Sequence, residues 1–261
     1  MCDFFVWYEG DSYSSVVENV NEYNMGNNVM KFQPLKPWIK GNGSVTPNNF
    51  YGNSKPCFEM GAFIALDIAV DLYFVNTVDT GNLFDSWHKN KELIEKACEI
   101  ANVSEDNGYD LDNEEKGWIL EELGEPPECC YNLYFITVYD DANERLVYIG
   151  KTDAKKSRFI NGHLVALKLH NPKYNMLNKR VYFGTITFLS KENEYVPLEF
   201  ITPYNEANNL LCEMEALLIS HFVPELNVKR EHVDKLKDLI VHIQNFSDVS
   251  AFLNDYVVYG C

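Results

Sequence analysis

Arginine is scarce in this chain, and residues 1–128 contain none. Their 8 lysines face 23 Asp and Glu residues, a local net charge of −15 in a chain of −17 overall. A polyanion contact would therefore need a local basic surface, since the chain as a whole repels one. Cysteine motifs are also missing. The seven cysteines (Cys2, Cys57, Cys98, Cys129, Cys130, Cys212, Cys261) are irregularly spaced, with no CxxC pair, which argues against a zinc site. Buried or idle thiols are the expectation, the Cys129–Cys130 pair included. No basic segment followed by an apolar one opens the sequence, so no secretory leader is expected. The longest apolar stretch, residues 61–75, is too short to span a bilayer and holds two aspartates. Repeats and low-complexity tracts are absent. Together these absences predict a reduced, cytoplasmic protein with no membrane contact.

What is present is core-forming material. Apolar residues make up 46% of the chain, with 16 Phe and 16 Tyr, enough for a packed interior. Charge is also concentrated in one place. Residues 151–180 hold eight basic side chains (Lys151, Lys155, Lys156, Arg158, Lys168, Lys173, Lys179, Arg180) against Asp153 alone, a local +7. A charge run is ordinarily a solvated face. In an otherwise acidic chain it is weighted here as a polyanion-binding surface.

The strongly acidic segment before Gly124, Pro126 and Pro127 suggests a boundary at 128–129. The expected organisation is an acidic, mixed or mainly helical domain over 1–128, a second domain over 129–230, and a helical extension over 231–261. The acidic domain is expected to serve a protein partner, regulation or a homo-oligomer.

In the first half, residues 3–10 read as a strand and 41–56 as loop. Residues 57–76 and 83–103 read as helices, the latter with Asp85 as N-cap. Asp67 and Asp71 would then share one helix face, most simply its wet stripe. A short helix is expected over 113–123. In the second half, 132–139 and 145–150 form a hairpin around the turn 140–144. A basic helical segment, a strand over 181–189 and an amphipathic helix over 206–222 follow. Residues 230–246 read as a further helix, and 248–259 as a short apolar element.

The residues "NLYFI" (132–136), "LVYIGKT" (146–152) and "EALLISHFVPELN" (215–227) resemble the GIY-YIG nuclease family. "YIGKT" matches that family's second motif, and "NLY" stands for its first with Asn132 in place of a glycine. Arg158 follows Tyr148 by ten residues, and Glu215 precedes Asn227 by twelve. This spacing selects Glu215 over Glu213. His163 stands one residue beyond the place where the family often carries a His or Tyr; on a helix that shift is about 100°. The resemblance covers roughly 131–230. It implies an α/β (α+β) fold with a small central antiparallel three-stranded sheet flanked by helices.

The resemblance also implies a metal-dependent endonuclease hydrolysing nucleic-acid phosphodiesters, with DNA favoured. A Mg²⁺ (or Mn²⁺) ion would rest on Glu215, because a hard dication is satisfied by carboxylate oxygen and waters. Arg158 would clamp the phosphate oxygens with its planar guanidinium. Tyr134 would take the proton of the attacking water. A free phenol titrates near ~10, so a neighbouring cation, Lys151 or Arg158, would have to favour phenolate. Tyr148 and His163 complete the expected catalytic set, with Asn227 positioning the metal shell or the backbone. Lys151, Lys155, Lys156, Lys168, Lys173, Lys179 and Arg180 would track phosphates without reading sequence. A module that keeps the fold and binds nucleic acid or a protein without cutting is the alternative.

Overall fold

A computed structural model describes residues 61–102, 113–125, 127–141, 143–152, 164–189, 195–228, 236 and 238–260. The expected strand at 3–10 and loop at 41–56 lie outside them. The described residues build a mixed α/β fold around one seven-stranded sheet, in place of the expected three-stranded one. Its strands are β1 (Ala62–Asp71), β2 (Leu133–Tyr139), β3 (Glu144–Lys151), β4 (Asn178–Leu189), β5 (Tyr195–Pro197), β6 (Ile240–Asn245) and β7 (Tyr256–Tyr259). The order is β3-β2-β4-β1-β6-β7. Four helices accompany it among the described residues: α1 (Leu83–Ile100), α2 (Asn113–Leu123), α3 (Leu164–Lys168) and α4 (Tyr204–Phe222).

Two sequence expectations are corrected. The first is the helix at 57–76, whose described part is β1 followed by a 3-10 turn at Leu72–Thr77. β1 is a central strand, antiparallel to β4 and parallel to β6. Residues 62–66 are apolar at successive positions, so no period-two signal marks the strand, although its burial alternates between full and partial over them. A bulge between Leu66 and Ile68 blurs the pattern further. Asp67 and Asp71 therefore share no helix face. The second correction is the helix at 230–246. Residues 240–245 form strand β6, in which Val241, Ile243 and Asn245 alternate inward with period two. The tail is thus not a helical extension where it is described, because β6 and β7 complete the sheet. The sheet takes strands from both sides of residues 128 and 230, so neither expected boundary divides it.

The other elements follow the sequence closely. The hairpin β2–β3, strand β4 and helices α1, α2 and α4 stand where their patterns put them. The α1 N-cap is Asn82 and not Asp85. The Asn82 side chain accepts from the Asp85 backbone N–H at 2.9 Å and donates to the Asp85 carboxylate at 2.8 Å. The acid is thus the inner partner of a reciprocal cap.

The sheet buries a core on each face. One face joins Ile64, Leu66, Phe135, Ile149, Ile186 and Ile243 to α1 and to the apolar stripe of α4 at Leu210, Leu211, Met214, Leu217 and Leu218. The other gathers Tyr131, Tyr134, Ile136, Val138, Tyr174, Val181 and Phe183, with Val165 of α3.

On one side of β4, β2 pairs along 178–184 and β5 along 187–189. Asn132 bridges the gap between them: its Oδ1 accepts the Ile186 N–H at 2.8 Å. The side chain in place of the motif's glycine thus extends the ladder by one hydrogen bond and satisfies a buried donor.

Candidate active site

The site expected from the sequence begins at the open end of the β2–β3 hairpin. Tyr134 pairs with Gly150 across β2–β3 and with Phe183 across β2–β4. Its ring lies 6.0 Å from Tyr148 and 6.3 Å from Phe183, centroid to centroid. Gly150 is the reason this arrangement exists. A Cβ at position 150 would stand 2.3 Å from Tyr134 Cζ, 2.4 Å from its hydroxyl oxygen and 2.8 Å from the Tyr148 ring. Only a residue without a side chain leaves room for the phenol. The "YIG" glycine is therefore read as the floor on which the Tyr134 hydroxyl rests. Tyr134 is 1% exposed, and Tyr148 is half-buried.

Backbone bonds beyond the hairpin fix this end. The Thr152 N–H donates to Asn132 O at 3.0 Å, the Tyr131 N–H to Thr80 O at 2.9 Å, and the Leu83 N–H to Thr152 O at 3.2 Å. The Thr152 hydroxyl also donates to Tyr131 O. The motif's threonine thus docks the first turn of α1, an element from the acidic half, against the hairpin. Glu199, buried at 3% exposure, accepts from Ser86 of α1 at 2.9 Å and from the Cys130 N–H at 3.0 Å.

Helix α4 packs against the edge strand β3 and carries Glu215. Two ties set its position. Lys151 Nζ donates to Cys212 Sγ at 2.9 Å, three residues before Glu215. Past the helix end, Asn227 grips Ile149 twice: its Oδ1 accepts the Ile149 N–H at 2.9 Å, and its Nδ2 donates to Ile149 O at 2.8 Å. The Leu226 N–H adds a bond to Val147 O at 3.0 Å. The turn after α4 therefore caps the exposed side of β3 as a further strand would. Of the two expected roles for Asn227, the backbone one fits, because both polar atoms of its amide are engaged by Ile149. Glu215 is 3% exposed. It is the one carboxylate of the expected set, a donor type suited to a hard dication completed by waters. Among the described residues no three His, Cys, Asp or Glu side chains cluster as a metal centre. No protein-family model, no curated protein and no solved structure matches this chain.

Arg158, His163, Lys155 and Lys156 lie outside the described residues. The other expected phosphate-tracking residues have internal partners. Lys173 pairs with Glu225 at 2.8 Å, and Lys179 donates to Tyr174 O at 2.8 Å. Lys168 donates to Leu226 O at 3.4 Å, and Lys151 holds Cys212. Arg180 pairs with Glu144 at 3.2 Å and stacks over Tyr139, its guanidinium carbon 4.0 Å from the ring centroid. The described part of the +7 segment is thus tied to the fold by internal partners. At Glu225, burial works against ionisation, but bonds from Lys173, Tyr174 and Arg145 hold the carboxyl down to about 2.

Asp67 was not expected to matter. It stands at the β1 bulge, between the residues paired with Gly184 and Phe183. The residue as a whole is half-buried, yet its Oδ2 is shielded from solvent and has no hydrogen-bond partner. Burial pushes its carboxyl up to about 7, against a bond with Thr185 that lowers it. An acid in the middle of an apolar run was the available signal.

No helix among the described residues is long and apolar enough to cross a membrane.

Proposed function

We propose that this chain is a metal-dependent endonuclease that hydrolyses nucleic-acid phosphodiester bonds, DNA before RNA, at the β3 edge. The observation that carries the reading is the Tyr134 phenol seated on Gly150 beside Tyr148, with Glu215 on the helix packed against the same strand. Tyr134 takes the proton of the attacking water. Tyr148 orients water or phosphate by hydrogen bonding. Arg158 clamps the non-bridging oxygens, where charge develops in the transition state. Lys151 supplies a cation beside the motif strand. Asn227 holds Ile149 and so keeps Gly150 beneath the Tyr134 ring. Glu215 would hold Mg²⁺ or Mn²⁺, which supplies positive charge to the scissile phosphate and the leaving oxygen.

The second reading is a binding module that keeps the fold without cleavage. The burial of Tyr134 and the internal pairing of Lys173 and Arg180 favour it. Purified protein incubated with plasmid DNA, single-stranded DNA and RNA, with Mg²⁺ or with EDTA, separates the two. Cleavage that requires Mg²⁺ supports the enzyme. Retention of nucleic acid without cleavage supports the module.

A further inference from the structure

Seven cysteines stand in the sequence with nothing to rank them, and among the four that lie in the described residues one differs from the rest. Cys98, Cys129 and Cys130 are buried, and burial pushes the Cys129 thiol well above its ordinary value. Cys212 is partly open to solvent. It is also held by an amine: Lys151 Nζ lies 2.9 Å from its sulfur, close for a contact between nitrogen and sulfur. Lys151 is 8% exposed, so the amine is enclosed and aimed, while Cys212 as a residue is only half-buried. The two side chains come from different elements, the last residue of β3 and the middle of α4. A covalent link between them would therefore join those elements.

We propose that Lys151 and Cys212 form an oxidative modification site, in which dioxygen joins them through an N–O–S bridge. The reaction balances as lysine ammonium plus thiol plus O₂ giving the bridge, one water and one proton. Two N–H bonds, the S–H bond and the O–O bond break; one N–O bond, one O–S bond and the two O–H bonds of the water form, and the remaining hydrogen leaves as the proton. One oxygen atom becomes the bridge and the other leaves as water. The sulfur and nitrogen together supply the four electrons. Two equivalents of a dithiol return those electrons and restore amine, thiol and water, which makes the site reversible.

The bridge has a consequence that rests on the nuclease reading. It removes the Lys151 charge from the motif strand. It also clamps β3 to α4 three residues before Glu215. Oxidation therefore lowers cleavage, and reduction restores it.

The test uses the full chain, held either under dithiol without oxygen or under dioxygen, followed by peptide mass spectrometry and cleavage of plasmid DNA. The expected product under dioxygen is a linked pair of peptides carrying residues 151 and 212. Its mass exceeds their sum by one oxygen less two hydrogens. It disappears on dithiol treatment and does not form in Cys212→Ser or Lys151→Met. Cys212→Ser cuts at the same rate before and after oxygen exposure, whatever that rate is, and only wild type slows after oxygen exposure. A Cys212 peptide that gains oxygen while the Lys151 peptide is unchanged overturns the bridge, as does no change at either peptide. A bridged protein that cuts as fast as the reduced one overturns the regulation. If reduced protein never cuts and the linked peptides still form, the nuclease reading fails and the bridge stands.

Discussion

The β2–β3 hairpin carries a tyrosine near each end, and the two ends are built on opposite principles. At the turn end, Glu144 accepts from Thr137 at 2.6 Å, Tyr182 at 2.8 Å and Ser250 at 2.6 Å, and pairs with Arg180. Arg180 stacks on Tyr139, whose hydroxyl donates to Asp71 at 3.2 Å. Burial pushes the Tyr182 hydroxyl up to about 12. Both Glu144 oxygens and the Arg180 cation are matched, and the cluster joins β1, β2, β3, β4 and the β6–β7 loop. At the open end, space replaces charge. Tyr134 is placed by a missing side chain at Gly150, and the polar groups nearby, Lys151 and Asn227, tie the hairpin to α4 and its following turn. The lesson is that a basic or aromatic residue in a sequence run says little until its partner is known. Arg180 and Tyr139 are held by internal partners, whereas Tyr134 and Glu215 carry the proposed chemistry.

The sharpest way to break this contrast is Glu215→Gln. Cleavage should be abolished while far-UV circular dichroism and nucleic-acid binding persist, and Glu213→Gln should be far milder. Wild-type cutting by Glu215→Gln would remove Glu215 from the site. Next comes the tyrosine pair. Tyr134→Phe should slow cleavage by ~10²-fold or more, the scale of a lost proton acceptor, while Tyr139→Phe should leave the rate alone. Single-turnover kinetics read both, and equal effects would erase the distinction between the ends.

Stability should show the reverse asymmetry. Glu144→Ala strands a nearly buried Arg180 and should cost about 3 kcal/mol in denaturant unfolding, with the intrinsic cleavage rate of the folded fraction unchanged. Gly150→Ala forces the Tyr134 ring aside. It should cost about 1–3 kcal/mol by overpacking and also abolish cleavage. A stable, active Gly150→Ala protein would show that the seat of Tyr134 is not needed.

The last effect, spread gradually over pH, concerns Asp67, in the β1 row beyond Phe183. Its folded value is about 7, above the ~3.9 of an unfolded aspartate. Between those values the folded state binds more protons than the unfolded one, so stability should fall as pH rises from about 4 to 7. The slope contributed is at most about 1.4 kcal/mol per pH unit. Asp67→Asn should flatten the curve over that window and stabilise the protein at neutral pH. An unchanged pH profile in equilibrium unfolding would mean that Asp67 is solvated after all.

The sequence determined the local elements whose signals are short-range. Two aromatic and β-branched runs around a polar turn give the β2–β3 hairpin, and the amphipathic period gives α4. It also put Tyr134, Tyr148, Glu215 and Asn227 in order along the chain. Tertiary structure alone decided what depends on long-range pairing. β1 and β6 lie side by side in the sheet although they come from opposite sides of the hairpin in the chain. β1 is apolar at successive positions and gives no period-two signal in the sequence, so residues 61–71 read as helix. Partners were equally invisible. Lys173 meets Glu225 across 52 residues, and Arg180 meets Glu144 across 36, so a run with a formal +7 became in part a set of internal ion pairs. Net charge is fixed by composition, but whether a charge faces solvent or a carboxylate is fixed by which distant strand or turn the fold brings beside it.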